Sequence, residues 1–148
     1  MTITYTISKL DTQYCISKYI DGNQDGAIPI DENNCDYVQF LQYLVENGDS
    51  DVTGESVPSN IQQDADDWLF NKQLRDYVDA STRLELDAVV ASDDIPETID
   101  VTTTNMETGA QTTETVKNPL IVEDEEQRAA AQAVVDATPQ PVIDSLNN

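Results

Sequence analysis

One segment limits what this chain can become more than any other. In NNCDYVQFLQYLVENG, residues 33–48, the side chains of Tyr37, Phe40, Leu41, Leu44 and Val45 recur at i, i+3, i+4, i+7 and i+8, one face of a helix. Asn33 or Asn34 can cap its start and Gly48 can close its end. Only 39% of the 148 residues are hydrophobic and 6% aromatic, so large apolar side chains are scarce and a stripe that concentrates them belongs against a core.

The partner for that face comes first in the chain. TITYTISK, residues 2–9, alternates in the manner of a strand, and Tyr14 to Ile20 continue it. Asp21 to Gly26 are turn residues, with Asp25–Gly26 expected to turn the hairpin, and Ala27 to Ile30 read as the return strand. Residues 1–48 are therefore expected to form a β-hairpin or small meander plus a helix. DSDVTGESVPSN, within 49–60, reads as a linker. A long helix is expected to open at Ser59 or Asn60, run to about Ala91 and fill the segment 61–95. Its stripe of Phe70, Leu74, Tyr77, Leu84 and Ala88, widened by Trp68 and Leu69, should complete one shared core, since one domain is the default at this length.

After SDDIP the composition changes. TIDVTTTNMETGAQTTETV holds eight threonines and alternates on either side of Asn105–Gly109, which predicts a two-stranded ribbon over 96–118, wet on both faces. Residues 119–148 begin acidic and become alanine-rich, predicting a helical arm with Ala130, Val134 and Ala137 sharing a face with Ala131 and Val135. Pro139 ends that helix, and Pro141 starts a short turn carrying Val142, Ile143 and Leu146. The expected fold class is α+β, with the ribbon and arm available for intermolecular contacts.

Charge narrows the partners. The chain has 29 acids against 7 bases, a formal charge of −22, and no basic segment. Such a field repels phosphate, so nucleic acid and anionic membrane are expected to be poor direct partners and basic protein surfaces good ones. An acidic chain can also imitate DNA towards a DNA-binding protein. No apolar run reaches the length of a signal or a membrane span, so the chain is expected to be made in a cytoplasm.

Most catalytic chemistry lacks its residues. There is no histidine, Cys15 and Cys35 form no CxxC, and the five glycines are scattered singly, so zinc sites, histidine-activated nucleophiles and phosphate loops have no representative. A non-enzyme with no cofactor is expected. The one local motif with a mechanism is DGNQDGAIPIDE, which fits the EF-hand calcium loop at Asp21, Asn23, Asp25, Gly26 and Glu32, with Ile28 at the apolar eighth position. Its flanks oppose that reading: the entering segment is strand-like, Pro29 lies inside the loop, and the next helix starts about a turn late. A calcium-binding module, or a turn site on Asp21, Asn23 and Asp25, is the alternative of a different class.

The same residues carry a resemblance. Asp25, Gly26, Ala27, Ile28, Pro29, Asp31, Asn34, Asp36, Tyr37, Phe40, Leu41, Leu44 and Gly48 resemble a segment of small bacteriophage proteins encoded among tail genes, a DGA turn followed by IPxDxxNxDYxxYLxWL. Phe40 stands where Tyr is usual and Tyr43 where Trp is usual. The resemblance implies a virion protein of the tail, baseplate or fibre attachment, assembled in the bacterial host cytoplasm and contacting other phage structural proteins in multiple copies. A tail fibre assembly chaperone and a capsid decoration protein are the neighbouring alternatives.

Overall fold

The computed structural model describes residues 1–148, and the chain is α+β. It divides into two compact units, residues 1–73 and 74–148, instead of the single domain expected from length.

In the first unit, β1 (Ile3–Leu10), β2 (Gln13–Ile20) and β3 (Asn23–Ile28) form an antiparallel meander, followed by α1 (Cys35–Asn47). The alternation of ITYTISKL sends Tyr5 and Ile7 to one face, and register places Ile7 opposite Ile16 and Ile16 opposite Ile28. That apolar row receives Tyr37, Phe40, Leu41 and Leu44 of α1. Tyr5 meets Phe40 and Tyr43 edge-on, with ring centroids 5.1 and 4.9 Å apart. Asn34 is the helix cap, its side chain accepting from the Asp36 and Tyr37 amides, and Gly48 ends the helix with its N–H on the Leu44 carbonyl.

The hairpin turn is not Asp25–Gly26. Asp21 and Gly22 connect β2 to β3, with φ of 50° and 82°, the positive pair that a two-residue hairpin loop requires. Asp25 and Gly26 lie inside β3, where the register shifts between Lys18 and Tyr19 and Asp25 is left without a partner as a bulge. A DG pair signals turn and bulge equally well, and the first of two such pairs in this segment took the turn.

Residues 49–60 are more than a linker. After a 3-10 turn at Asp49–Asp51, β4 (Thr53–Gly54) adds to β1 in parallel, giving the sheet order β3-β2-β1-β4, and Val52 is buried. The Glu55 amide donates to the Ile7 carbonyl at 2.8 Å. Gly54 has φ 90°, and a Cβ there would run into that same carbonyl, so this edge requires glycine.

The long helix α2 (Ser59–Glu85) stops before Ala91. Ile61 and Ala65 are fully buried in the first unit's core and Trp68 packs against it, but Phe70 is 38% exposed and Leu74 and Tyr77 are half-buried outside that cluster. The shared core expected from the stripe is therefore confined to the helix's opening turns. Leu84 is half-buried and Ala88 is exposed beyond the helix end.

The second unit contains the remainder of α2, the ribbon strands β5 (Thr98–Thr104) and β6 (Gln111–Lys117), then α3 (Pro119–Ala137) and α4 (Gln140–Asp144). Its buried apolar residues are Ala80, Ile121, Ala131 and Val142. Of the expected face of α3, Ala131 is buried and Val135 half-buried, while Ala130, Val134 and Ala137 are exposed. Small residues on both sides of an alanine-rich helix leave its periodicity ambiguous. Val142 is buried and Ile143 half-buried.

Candidate functional site

Residues 21–32 do not form a loop between two helices. They fold as a turn, a strand and a bend, and no group of three or more His, Cys, Asp or Glu side chains gathers anywhere in the chain in a way that could hold a metal ion. The Asp21 carboxylate accepts from the Thr2 amide at 2.8 Å, and Asn23 donates to the Asp21 carbonyl. Asp25 lies 3.9 Å from the Lys18 ammonium, and Glu32 is exposed. Lys18 sits in the same cross-strand row as Tyr5, on the helix-facing side of the sheet, and donates to Asp36 at 3.1 Å. The hydrogen bond to Asp36 raises the Lys18 pKa above its usual value.

In α1 the aromatic face also carries one polar tip. The Tyr37 hydroxyl donates to Asp64 of α2 at 2.6 Å, and burial followed by that hydrogen bond pushes its pKa well above the usual 10.0. This contact orients the two helices and leaves no unsatisfied group for a ligand; none of the chain's buried side-chain polar atoms lacks a partner.

The ribbon is built differently. In register, Ile99 faces Val116, Val101 faces Glu114 and Thr103 faces Thr112, so one face carries all three aliphatic side chains. The other face pairs hydroxyls: Thr102 and Thr113 are hydrogen-bonded at 2.9 Å, and Thr115 donates to Asp100 at 2.6 Å. Ile99 and Val116 at the base are half-buried, and every other ribbon residue is exposed, Val101 at 42%. Both outer strand edges are unpaired.

Two buried polar residues follow the ribbon, and the first of them roots it. Asn118 follows β6 directly; its amide donates to the Glu97 carbonyl at 2.8 Å, its side chain donates to the Pro96 carbonyl at 2.8 Å, and its side-chain oxygen caps α3 by accepting from Leu120. Asp124, further along α3, accepts from Arg83, from Arg128 and from the Val89 amide. Arg128 also donates to the Leu84 and Leu86 carbonyls, satisfying acceptors at the end of α2. The Arg83 hydrogen bond is the main cause that holds the Asp124 carboxyl down at about 2, with Val89 and Arg128 contributing. Sequence reading missed this cluster, because a lone acid among 29 has no pattern to mark it.

A second surface feature lies at the end of the meander, a recess lined by Leu10, Tyr14, Cys15, Pro29, Ile30 and neighbours. Cys15 is half-buried, Cys35 is exposed, and neither forms a disulfide. No helix is long and apolar enough to cross a membrane. Comparison with protein-family models, with curated proteins and with solved structures gave no match.

Proposed function

We propose that the chain is a non-enzymatic structural or adaptor subunit of a bacteriophage virion, placed in the tail, baseplate or fibre attachment and acting through protein–protein interfaces in multiple copies. The ribbon is the observation that carries this reading. A two-stranded ribbon with exposed residues on both faces and two free edges contributes little to its own fold, and suits pairing with a neighbouring subunit. The resemblance of residues 25–48 to small phage tail-gene proteins supplies the assembly, and the formal charge of −22 favours basic neighbours.

The test is protein quantification in purified particles of a phage that encodes the chain. The expected result is a fixed ratio to tail, baseplate or fibre proteins. Absence from mature particles together with presence in infected cells would move the chain to the fibre-assembly chaperones, and enrichment in tail-less heads would make it a capsid decoration protein.

A further inference from the structure

The register of the ribbon decides which of its two free edges can meet another copy of the chain. Asn118 donates its amide to the Glu97 carbonyl at 2.8 Å, and Asn105 donates to the Ala110 carbonyl at 2.7 Å. Bonded pairs alternate along an antiparallel ladder, so Ile99, Val101 and Thr103 are bonded to β6, while Thr98, Asp100, Thr102 and Thr104 aim their N–H and C=O groups outward. No strand of the chain reaches this edge, and all four of those residues are exposed.

We propose that β5 pairs antiparallel with β5 of a second copy about a twofold axis at Val101, making a four-stranded sheet in the order β6-β5-β5-β6. In this register all seven residues of β5 are paired. Val101 meets the partner's Val101 in a non-bonded pair, Asp100 exchanges backbone bonds with the partner's Thr102, and Ile99 lies opposite the partner's Thr103. Just before the strand, Glu97 faces the partner's Asn105. No charge stands opposite its own kind. Ile99, Val101 and Val116 of both copies then share one face, and four strands with an apolar face hold where two are marginal. The two Asp100 carboxylates fall on a diagonal, their Cβ atoms roughly 7–8 Å apart, and each already accepts from its own Thr115.

Other pairings are worse on the same grounds. Centring β5 on Asp100 sets carboxylate against carboxylate, and centring it on Thr102 leaves Thr98 and Ile99 beyond the partner strand. The other edge, β6 paired along its full length, centres on Glu114 and again opposes acid to acid. A basic strand finds one carboxylate on the β5 edge, and Thr115 holds it. The inference rests on the proposed structural role and names the neighbour that the ribbon serves.

Disulfide trapping on the full chain tests it, in a background carrying Cys15→Ser and Cys35→Ser, the only native thiols. A non-bonded antiparallel pair holds its Cα atoms about 4.5 Å apart, within disulfide reach, so Val101→Cys should form a disulfide dimer at least about tenfold faster than Met106→Cys at matched concentration. Exposure alone predicts the reverse, since Met106 is 93% exposed and Val101 42%. Glu114→Cys, at the centre of β6, should trap no faster than Met106→Cys. Thr102→Pro, added to Val101→Cys, removes an outward N–H of β5 and should erase the excess, whereas Thr113→Pro does the same on the outer edge of β6 and should not. Equal rates for Val101→Cys and Met106→Cys, or for Val101→Cys and Glu114→Cys, overturn the proposal. So does an excess that survives Thr102→Pro or that Thr113→Pro erases equally. Presence of the chain in particles without a Val101→Cys excess would keep the structural role and overturn the second copy as neighbour. An excess in a chain absent from particles would keep the β5 pair and overturn the role.

Discussion

The two units meet the same shortage, few large apolar side chains, by different means. Residues 1–73 pool theirs: Tyr5, Ile7, Ile16, Ile28, Tyr37, Phe40, Leu41, Leu44, Val52, Ile61 and Ala65 form one buried cluster. Residues 74–148 bury only Ala80, Ile121, Ala131 and Val142 as apolar groups, and they also bury Asn118 and Asp124, each hydrogen-bonded to several elements. An apolar cluster is indifferent to direction and sensitive to volume, whereas a carboxylate between two guanidinium groups is sensitive to geometry and to pH. The units should therefore fail under different insults.

Volume is the larger lever. Phe40 is fully buried and touches both the sheet and its own helix's Tyr37, so Phe40→Ala should cost about 3–5 kcal/mol, enough to unfold the first unit. Trp68, the single tryptophan, packs against that cluster, so its fluorescence in a guanidinium titration reads this unit alone. An unchanged Trp68 midpoint in Phe40→Ala would remove the apolar cluster as the source of stability.

Geometry and acid are the next lever. Asp124→Asn keeps the shape and leaves Arg83 and Arg128 without their carboxylate, and amide exchange at Val89 and Leu120 should rise while residues 3–20 stay protected. The native pKa of Asp124 is depressed from 3.8 to about 2, so the unfolded chain takes up the proton first as pH falls. Its contribution is present above pH 3.8 and is lost towards pH 2. NMR of the second unit through that window should show loosening in the wild type, and Asp124→Asn should lack this component of the pH dependence.

The legible parts of the fold were those in which local pattern and tertiary demand agreed. Tyr37, Phe40, Leu41 and Leu44 were readable because helical spacing and the need for a core select the same four residues. The ribbon was readable because alternation and turn residues suffice when nothing has to be buried. The error fell where two neighbouring candidates satisfy the same local rule, Asp21–Gly22 against Asp25–Gly26 for the turn, and the broad face expected for α3 came out narrower, with Ala131 inside and Ala130 outside. The strand at Thr53–Gly54 was illegible because two residues carry no periodicity, and it exists through a parallel pairing with Thr6 and Ile7, 47 residues away. The end of α2 was illegible for a related reason, since Arg128, more than 40 positions downstream, donates to the carbonyls of Leu84 and Leu86 there. Of the candidate sites, the metal loop was legible only as a motif, and its residues are spread over turn and bulge.

Alkali should reverse the order of failure. Tyr37 and Tyr5, raised chiefly by burial, and Lys18, raised by its bond to Asp36, all lie in the first unit. The folded state holds these protons more firmly than the unfolded chain, so their contribution is present below about pH 10 and is lost as pH rises beyond it. Above that pH the Trp68 signal should change before the second unit does. Tyr37→Phe removes the most strongly shifted of these groups together with its bond to Asp64, and because Asp64 is half-exposed the cost at neutral pH should be only about 1 kcal/mol. A Tyr37→Phe variant with undiminished alkaline sensitivity would assign the effect to Tyr5 and Lys18.

The smallest effect belongs to the ribbon, which follows neither strategy. Beyond Ile99 and Val116 it buries nothing, and its hydroxyl pair Thr102–Thr113 sits in water, where solvent competes for the same hydrogen bonds. Thr113→Ala and Val101→Thr should each change the stability of the isolated chain by no more than about 0.5 kcal/mol, measured as a shift in the second unit's denaturant midpoint. Val101→Asp should be similarly mild in isolation, because Val101 is 42% exposed, yet it puts a charge on the only aliphatic face the ribbon has. If the ribbon serves a neighbouring subunit, that variant should fold normally and fail to enter particles. A loss of more than about 1 kcal/mol in the isolated chain would instead make the ribbon a part of the second unit's own fold, and the contrast between a buried core and a surface kept for partners would disappear.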